Sequence, residues 1–163
     1  MTFSIASKEQ FPIIRDLAFK IWPSAYGEIL SKEQLDYMLD MIYSIESIEK
    51  QVAKNHVFLL IKENDKYLGF ASYELNIDNS NKAKIQKLYV LPETQGKGIG
   101  RKAIDFIKKI ASDSNNEAFI LNVNKYNKAK YFYLNYGFKI INTVVIDIGN
   151  GYVMDDYVME IKF

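Results

Sequence analysis

Gln95-Gly-Lys-Gly-Ile-Gly100 sets three glycines at alternate positions, between an apolar run that ends near Val90 and a helical pattern that follows. Glycines at a strand-to-helix turn let the backbone approach a ligand closely. They also gather successive N–H groups into one concavity beside the positive end of the helix. Lys97, Arg101 and Lys102 add formal positive charge at the same place. The stretch reads as a seat for an anion such as a pyrophosphate. Two familiar phosphate-binding spacings do not fit it. A P-loop would require Gly where Leu91 stands and Ser or Thr where Gly98 stands. A dinucleotide fingerprint is met in letters by Gly98-x-Gly100-x-x-Ala103, but the strand that follows, Phe119 to Val123, offers Asn122 and Asn124 where an acid is needed.

Outward from this loop the chain divides into regular elements. Downstream, Ile99, Ala103, Phe106, Ile107 and Ile110 share one helical face. Phe119 to Val123 is a short strand, Asn127 to Tyr136 a short helix closed by Gly137, and Phe138–Ile148 with Tyr152–Ile161 a hairpin around Gly149-Asn-Gly151. Upstream, Ile85, Leu88, Tyr89 and Val90 mark a strand that stops at Pro92. Val57–Ile61 and Tyr67–Tyr73 flank the polar turn Glu63–Lys66 as an antiparallel hairpin. The first third opens with a short strand at Phe3–Ile5 and continues as helix. Ser7 with Gln10 and Ser31 with Gln34 are start signals for the patterns Ile13, Ile14, Leu17, Ile21 and Leu35, Met38, Leu39, Ile42, and Ile48 to Lys54 adds a further turn or two. The order β-α-α-β-β-β-α-β-α-β-β predicts an α/β (α+β) fold, and the lack of any linker predicts one domain over residues 1–163.

Composition narrows the chemistry. A chain of 163 residues, 48% hydrophobic and 25% charged, can bury a core without disulfides or metals. With no cysteine there is no thiolate nucleophile, and with His56 as the single histidine a multi-histidine zinc site cannot be built, so no metal is expected. A net charge of +1 offers no global field to attract nucleic acid or an anionic membrane. The longest apolar run, Val57 to Ile61, is far short of the roughly 20 residues that span a bilayer, and no leader pattern opens the chain. A cytoplasmic protein is expected.

Gln95-x-x-Gly98-x-Gly100 resembles the acetyl-coenzyme A signature of the GNAT superfamily of N-acetyltransferases. Its flanks resemble the same family: Leu88-Tyr-Val-Leu-Pro92 before it, and Asn127-Lys-Ala-Lys-Tyr-Phe-Tyr133-Leu-Asn-Tyr-Gly-Phe138 after it. The resemblance implies a central mixed, mostly antiparallel sheet flanked by helices. It implies acetyl-coenzyme A as cosubstrate, held by Gln95, Gly96, Lys97, Gly98, Ile99, Gly100, Arg101 and Lys102, with the Leu88, Tyr89 and Val90 backbone pairing with the pantetheine arm. Tyr133 occupies the general-acid position, and a phenol of ordinary pKa about 10 is protonated at neutral pH and able to donate. The competing reading makes Tyr133 one core aromatic among several.

Two positions depart from the family pattern. The Asn that opens its second motif falls here at Tyr126, with Asn127 one residue late as the cofactor contact. Many relatives carry a Glu base where this chain has Gln86, between Lys84 and Lys87, and an amide cannot take a proton. The acceptor cleft implied by the resemblance is flanked by Trp22, Tyr26 and Glu28 on one side and by Asp155 and Asp156 on the other. Carboxylates there would attract an amine and aromatics would clasp it. His56 reads as the start of a buried strand. The expected activity is direct acetyl transfer to a primary amine of a small molecule. The N-terminal layout resembles that of spermidine/spermine-type enzymes, so a polyamine is the first acceptor, and a homodimer is compatible. A coenzyme A-binding module without turnover is the alternative reading.

Overall fold

The computed structural model describes residues 1–163. Its elements in chain order are β1 (Thr2–Ile5), α1 (Phe11–Tyr26), α2 (Lys32–Tyr43), α3 (Ile45–Ala53), β2 (Val57–Glu63), β3 (Lys66–Glu74), β4 (Lys82–Val90), α4 (Ile99–Asp113), β5 (Ala118–Asn124), α5 (Ala129–Tyr136), β6 (Lys139–Gly149) and β7 (Tyr152–Lys162). All strands join one sheet in the order β1-β2-β3-β4-β5-β7-β6, antiparallel throughout except at the β4–β5 junction. The mixed, mostly antiparallel sheet expected from the sequence is present.

The N-terminal third contains one helix more than expected. Ser44 ends α2 and starts α3: its backbone leaves the helical region at ψ 150, and its hydroxyl accepts a hydrogen bond from the Ser47 amide at 3.1 Å. A serine oxygen that satisfies an orphan amide is a cap, so the break falls there. The Ser31 hydroxyl does the same for α2, accepting from Gln34 N at 3.1 Å. At the chain's start, Ser7 N donates to Gln10 Oε1 at 3.0 Å, which closes a single 3-10 turn ahead of α1.

Strand β2 is apolar at successive positions because both faces of the sheet are covered. Phe58 and Leu60 meet Ile14, Leu17, Ile21, Trp22, Leu39 and Tyr43 of the N-terminal helices. On the opposite face Ile104 and Ile107 of α4 pack with Leu59, Phe119, Leu121, Phe138 and Met159. Burying each such side chain contributes about 1.5–3 kcal/mol, which holds the helices firmly enough to frame a site. No helix is long and apolar enough to cross a membrane.

Candidate functional site

Strands β4 and β5 part company. They pair only where Lys82, Ala83 and Lys84 meet Ala118, Phe119 and Ile120; beyond Lys84 the two strands diverge and the β5-facing edge of β4 is left without a partner strand. On its other side β4 stays paired with β3, and here the register slips. Ser72 opposes Lys87 but Tyr73 opposes Ile85, so Gln86 is the extra residue of a bulge. The slip changes what faces what. Strict alternation would put Lys84 and Lys87 on opposite faces; with one residue bulged out, both point to the face carrying Tyr89. Across the split, Asn124 pairs with Asp156, which places Asn122, Asn124 and Asp156 on that same face.

The loop after β4 forms the cradle expected from its glycines. Gly96 (φ +81) and Gly98 (φ +76) adopt left-handed backbone conformations, with open space where a side chain would project. The amides from Gly96 to Arg101 donate to no backbone acceptor, and the first to do so is Lys102 N, to Gly98 O at 3.1 Å. Gly100 is needed for another reason: a Cβ there would stand 3.1 Å from Phe132 Cζ. Ile99 is buried and anchors the start of α4. Lys97, Arg101 and Lys102 are exposed around the cradle, with Arg101 stacked 4.8 Å from the Tyr136 ring. Unsatisfied amides at a helix N-terminus beside three cations suit a pyrophosphate.

Two cavities meet at the split. A narrow slot of about 40 Å³ runs between the diverging strands and is lined by Leu88, Leu121, Val123, Asn127, Ala129 and Tyr133 among others. A larger cavity of about 400 Å³ lies between the sheet and the N-terminal helices, walled by Trp22, Met38, Met41, Tyr43, His56, Lys84 and Asp156 among others. Tyr26, Ile85, Gln86, Lys87, Tyr89 and Asn122 line both. At this junction the Tyr26 and Tyr89 hydroxyls are 2.8 Å apart. Burial raises the phenols of Tyr26, Tyr89 and Tyr133 above the ordinary tyrosine value, so all three hold their protons at neutral pH.

None of the charged groups of the large cavity is in a direct ion pair. Asp156 is 2% exposed and its Oδ1 has no hydrogen-bond partner. Burial raises its pKa and the nearby Asp155 charge adds to the shift, against a hydrogen bond with Asn122 and the charge of Lys84, which lower it. His56, immediately before β2, is pushed down to about 4 by burial and by the positive charges of Lys87, Lys84 and Lys54. It is neutral at pH 7. Lys87 is pulled down to about 8 by burial and by Lys84.

A family model described as acetyltransferase (GNAT) domain matches residues 28–160. The chain belongs to the GNAT acetyltransferase family. No curated protein sequence matches this acetyltransferase significantly. Among solved structures it is similar to a PaiA N-acetyltransferase of Thermoplasma acidophilum in complex with coenzyme A, at 24% identity and a TM-score of 0.82, with both chains covered in full. It is also similar to a GCN5-related N-acetyltransferase of Rhodopseudomonas palustris, at 17% identity and TM-score 0.84 over 99% of this chain and 95% of that one. The ribosomal-protein-S18-alanine N-acetyltransferase of Escherichia coli follows at 15% identity and TM-score 0.72, over 99% and 92%.

Within this N-acetyltransferase the residues singled out from sequence separate into three groups. Leu88, Tyr89, Asn127 and Tyr133 line the slot, Val90 ends the strand that leads to the cradle, and Gln95 to Lys102 form the loop and the first turn of α4 after it. Asn127 has a local duty too, since its Oδ1 accepts from Ala129 N at 2.9 Å at the start of α5, whereas Tyr126 is exposed. Trp22, Tyr26 and Asp156 line the large cavity. Glu28 and Asp155 do not. Glu28 is exposed beyond the end of α1, and Asp155, its side chain on the opposite face of β7 from Asp156, pairs with Lys125 at 2.8 Å. The acidic acceptor side expected from the sequence thus reduces to one carboxylate. Lys84, Lys87, Asn122 and Tyr43 are among the cavity residues that sequence reasoning did not assign; the facing of the two lysines depends on the bulge, and the place of Tyr43 on which helix covers the sheet.

Proposed function

We propose that this chain moves an acetyl group from acetyl-coenzyme A to the amine of a small molecule, directly, within a ternary complex. One observation carries the reading: the slot holding the Tyr133 phenol and the cavity holding the Asp156 carboxylate share walls, among them Gln86, Tyr89 and Asn122, at the split between β4 and β5. The split also exposes the backbone edge that leads to the glycine cradle. The Gly96–Arg101 amides fit the pyrophosphate, Lys97, Arg101 and Lys102 add charge, and the free edge of Leu88 to Val90 fits an extended pantetheine arm. That the Thermoplasma protein was solved with coenzyme A supports the same use here.

Acetyl-coenzyme A supplies an activated acetyl group on a sulfur whose conjugate acid has a pKa of about 8.5. Asp156, with an unpartnered oxygen and a raised pKa, receives the ammonium and accepts the proton that the nitrogen must lose before it attacks the carbonyl carbon. The nitrogen releases its second proton to solvent as the carbon–sulfur bond breaks and the amide forms. Tyr133 delivers its phenolic proton to the departing sulfur and recovers one from solvent. Gln86, which lies at the junction, takes no proton and serves as a polar wall. A polyamine acceptor would meet Lys84 and Lys87 there, with only Asp156 to offset them.

Thiol release followed with a thiol-reactive dye, on acetyl-coenzyme A with a panel of small amines, tests the reading. Amine-dependent release is expected, and Tyr133→Phe lowers kcat by about 10²–10⁴-fold while the affinity for acetyl-coenzyme A stays within threefold. Cofactor binding with no release on any amine supports the binding module instead, the reading that Gln86 favours.

A further inference from the structure

Lys84 and Lys87 stand on the cavity wall as cations without a direct ion pair, and Asp156, which feels the Lys84 charge, is the one carboxylate of that wall. Neither takes part in any ion pair of the structure. Glu74 opposes Lys84 in the β3–β4 register without pairing to it. The Lys87 ammonium donates to Gln51 Oε1 and lies 5.3 Å from the centre of the Phe58 ring. Gln51 is held in place for this: its Nε2 donates to Ile42 O at 2.8 Å and to Ser47 O at 3.2 Å. A half-buried lysine that is positioned by a neutral amide, beside a second lysine, is a site short of one negative charge. Beyond the split, on β7, Asp156 Oδ1 is a buried acceptor short of a donor. The two deficits are complementary to a single molecule with both charges.

We propose that the acceptor of this acetyltransferase carries a carboxylate beside its amine, as an amino acid or related small zwitterion does. Asp156 receives the ammonium end toward the slot, and Lys84 with Lys87 receives the carboxylate. Trp22, Met38 and Met41 surround an apolar body. Space favours a single residue-sized molecule. The cavity is about 400 Å³, and the β6–β7 hairpin is tied across it to α2 by Tyr37 OH donating to Ile148 O at 2.7 Å and Gln34 Nε2 donating to Val153 O at 3.2 Å. The inference rests on the acetyl-transfer reading and replaces its polyamine with a zwitterion.

The experiment compares leucine, methionine and phenylalanine with their carboxamides, alongside putrescine and spermidine, in the thiol-release assay. The expected result is a kcat/KM at least tenfold higher for each acid than for its amide, chiefly through KM. Lys84→Met and Lys87→Met each reduce that ratio below threefold, and Lys87→Arg retains it; circular dichroism confirms that all three variants fold. Amides or polyamines used as well as the acids would overturn the proposal, as would a ratio that survives both methionine variants. Should no amine release thiol although acetyl-coenzyme A binds, the transfer reading fails and the subsite is judged separately. Trp22, the sole tryptophan, then reports saturable binding of N-acetyl-leucine by fluorescence. Binding that Lys87→Met abolishes sustains the carboxylate subsite, and no binding overturns it.

Discussion

At Lys87 the protein holds an ammonium group under conditions that oppose its charge, and the consequence is visible in stability as well as in binding. Its pKa of about 8 lies below the roughly 10.4 of an unfolded lysine. Between those values the unfolded chain binds more protons, so stability rises with pH across that window and the full penalty applies below it. Lys87→Met removes the penalty. The variant is expected to be more stable by about 1–2 kcal/mol at pH 7, read as a Tm higher by roughly 3–6 °C, and to lose most of that advantage at pH 10. Thermal melts at the two pH values check the sign. The three glycines could be picked out from local spacing, and Tyr133 from its place in a stretch that resembles the family's second motif. Lys87 could not, because its environment is assembled by Gln51 of α3 and Phe58 of β2 and by a bulge that turns Lys84 to its own face.

Among the elements, the β4–loop–α4 unit combines a bulge, a split edge and a cradle in fewer than twenty residues. Gly98 is its pivot, at φ +76 with nothing within 4 Å of a would-be Cβ. Gly98→Ala therefore meets no clash but must hold a left-handed conformation, at a cost of about 1–2 kcal/mol. Relaxation of that strain turns the neighbouring amides away from the cradle. The expected outcome is an affinity for coenzyme A about tenfold lower by calorimetry, with a Tm lower by only a few degrees. Unchanged affinity would mean that the cradle does not carry the pyrophosphate. Element boundaries were legible wherever a glycine, proline or cap marks them, as at Ser31, Pro92 and Gly137. The α2–α3 break was not, since Ser44 interrupts an apolar pattern that continues helically on both sides, and the hydrogen bond that decides it appears only once the chain turns.

For the whole molecule, the site is a joint between a helical layer and a sheet that splits. The β6–β7 hairpin reaches over this joint at the far end of the sheet and touches α2 through Tyr37 and Gln34. Tyr37→Phe removes the 2.7 Å hydrogen bond to Ile148 O and is expected to cost about 1 kcal/mol. Because the bond joins hairpin to helix, amide exchange near Ile148 should quicken about fivefold, with protection in α4 unchanged. Uniform acceleration across both regions would show that the hairpin is not an independent unit.

By itself the sequence determined the order of the strands and of four of the five helices, the glycine turn after β4 and the absence of cysteine chemistry. Each of these is local: glycine conformations, helical spacing and residue types act within a few positions of one another. The tertiary structure alone decided that β4 and β5 separate after Lys84, that a bulge at Gln86 turns Lys84 and Lys87 to one face, and that Asp156 joins them while Asp155 pairs with Lys125 instead. The physical reason is that facing in a sheet depends on register between strands far apart in the chain. One bulged residue inverts everything before it, and no periodicity within a single strand records that.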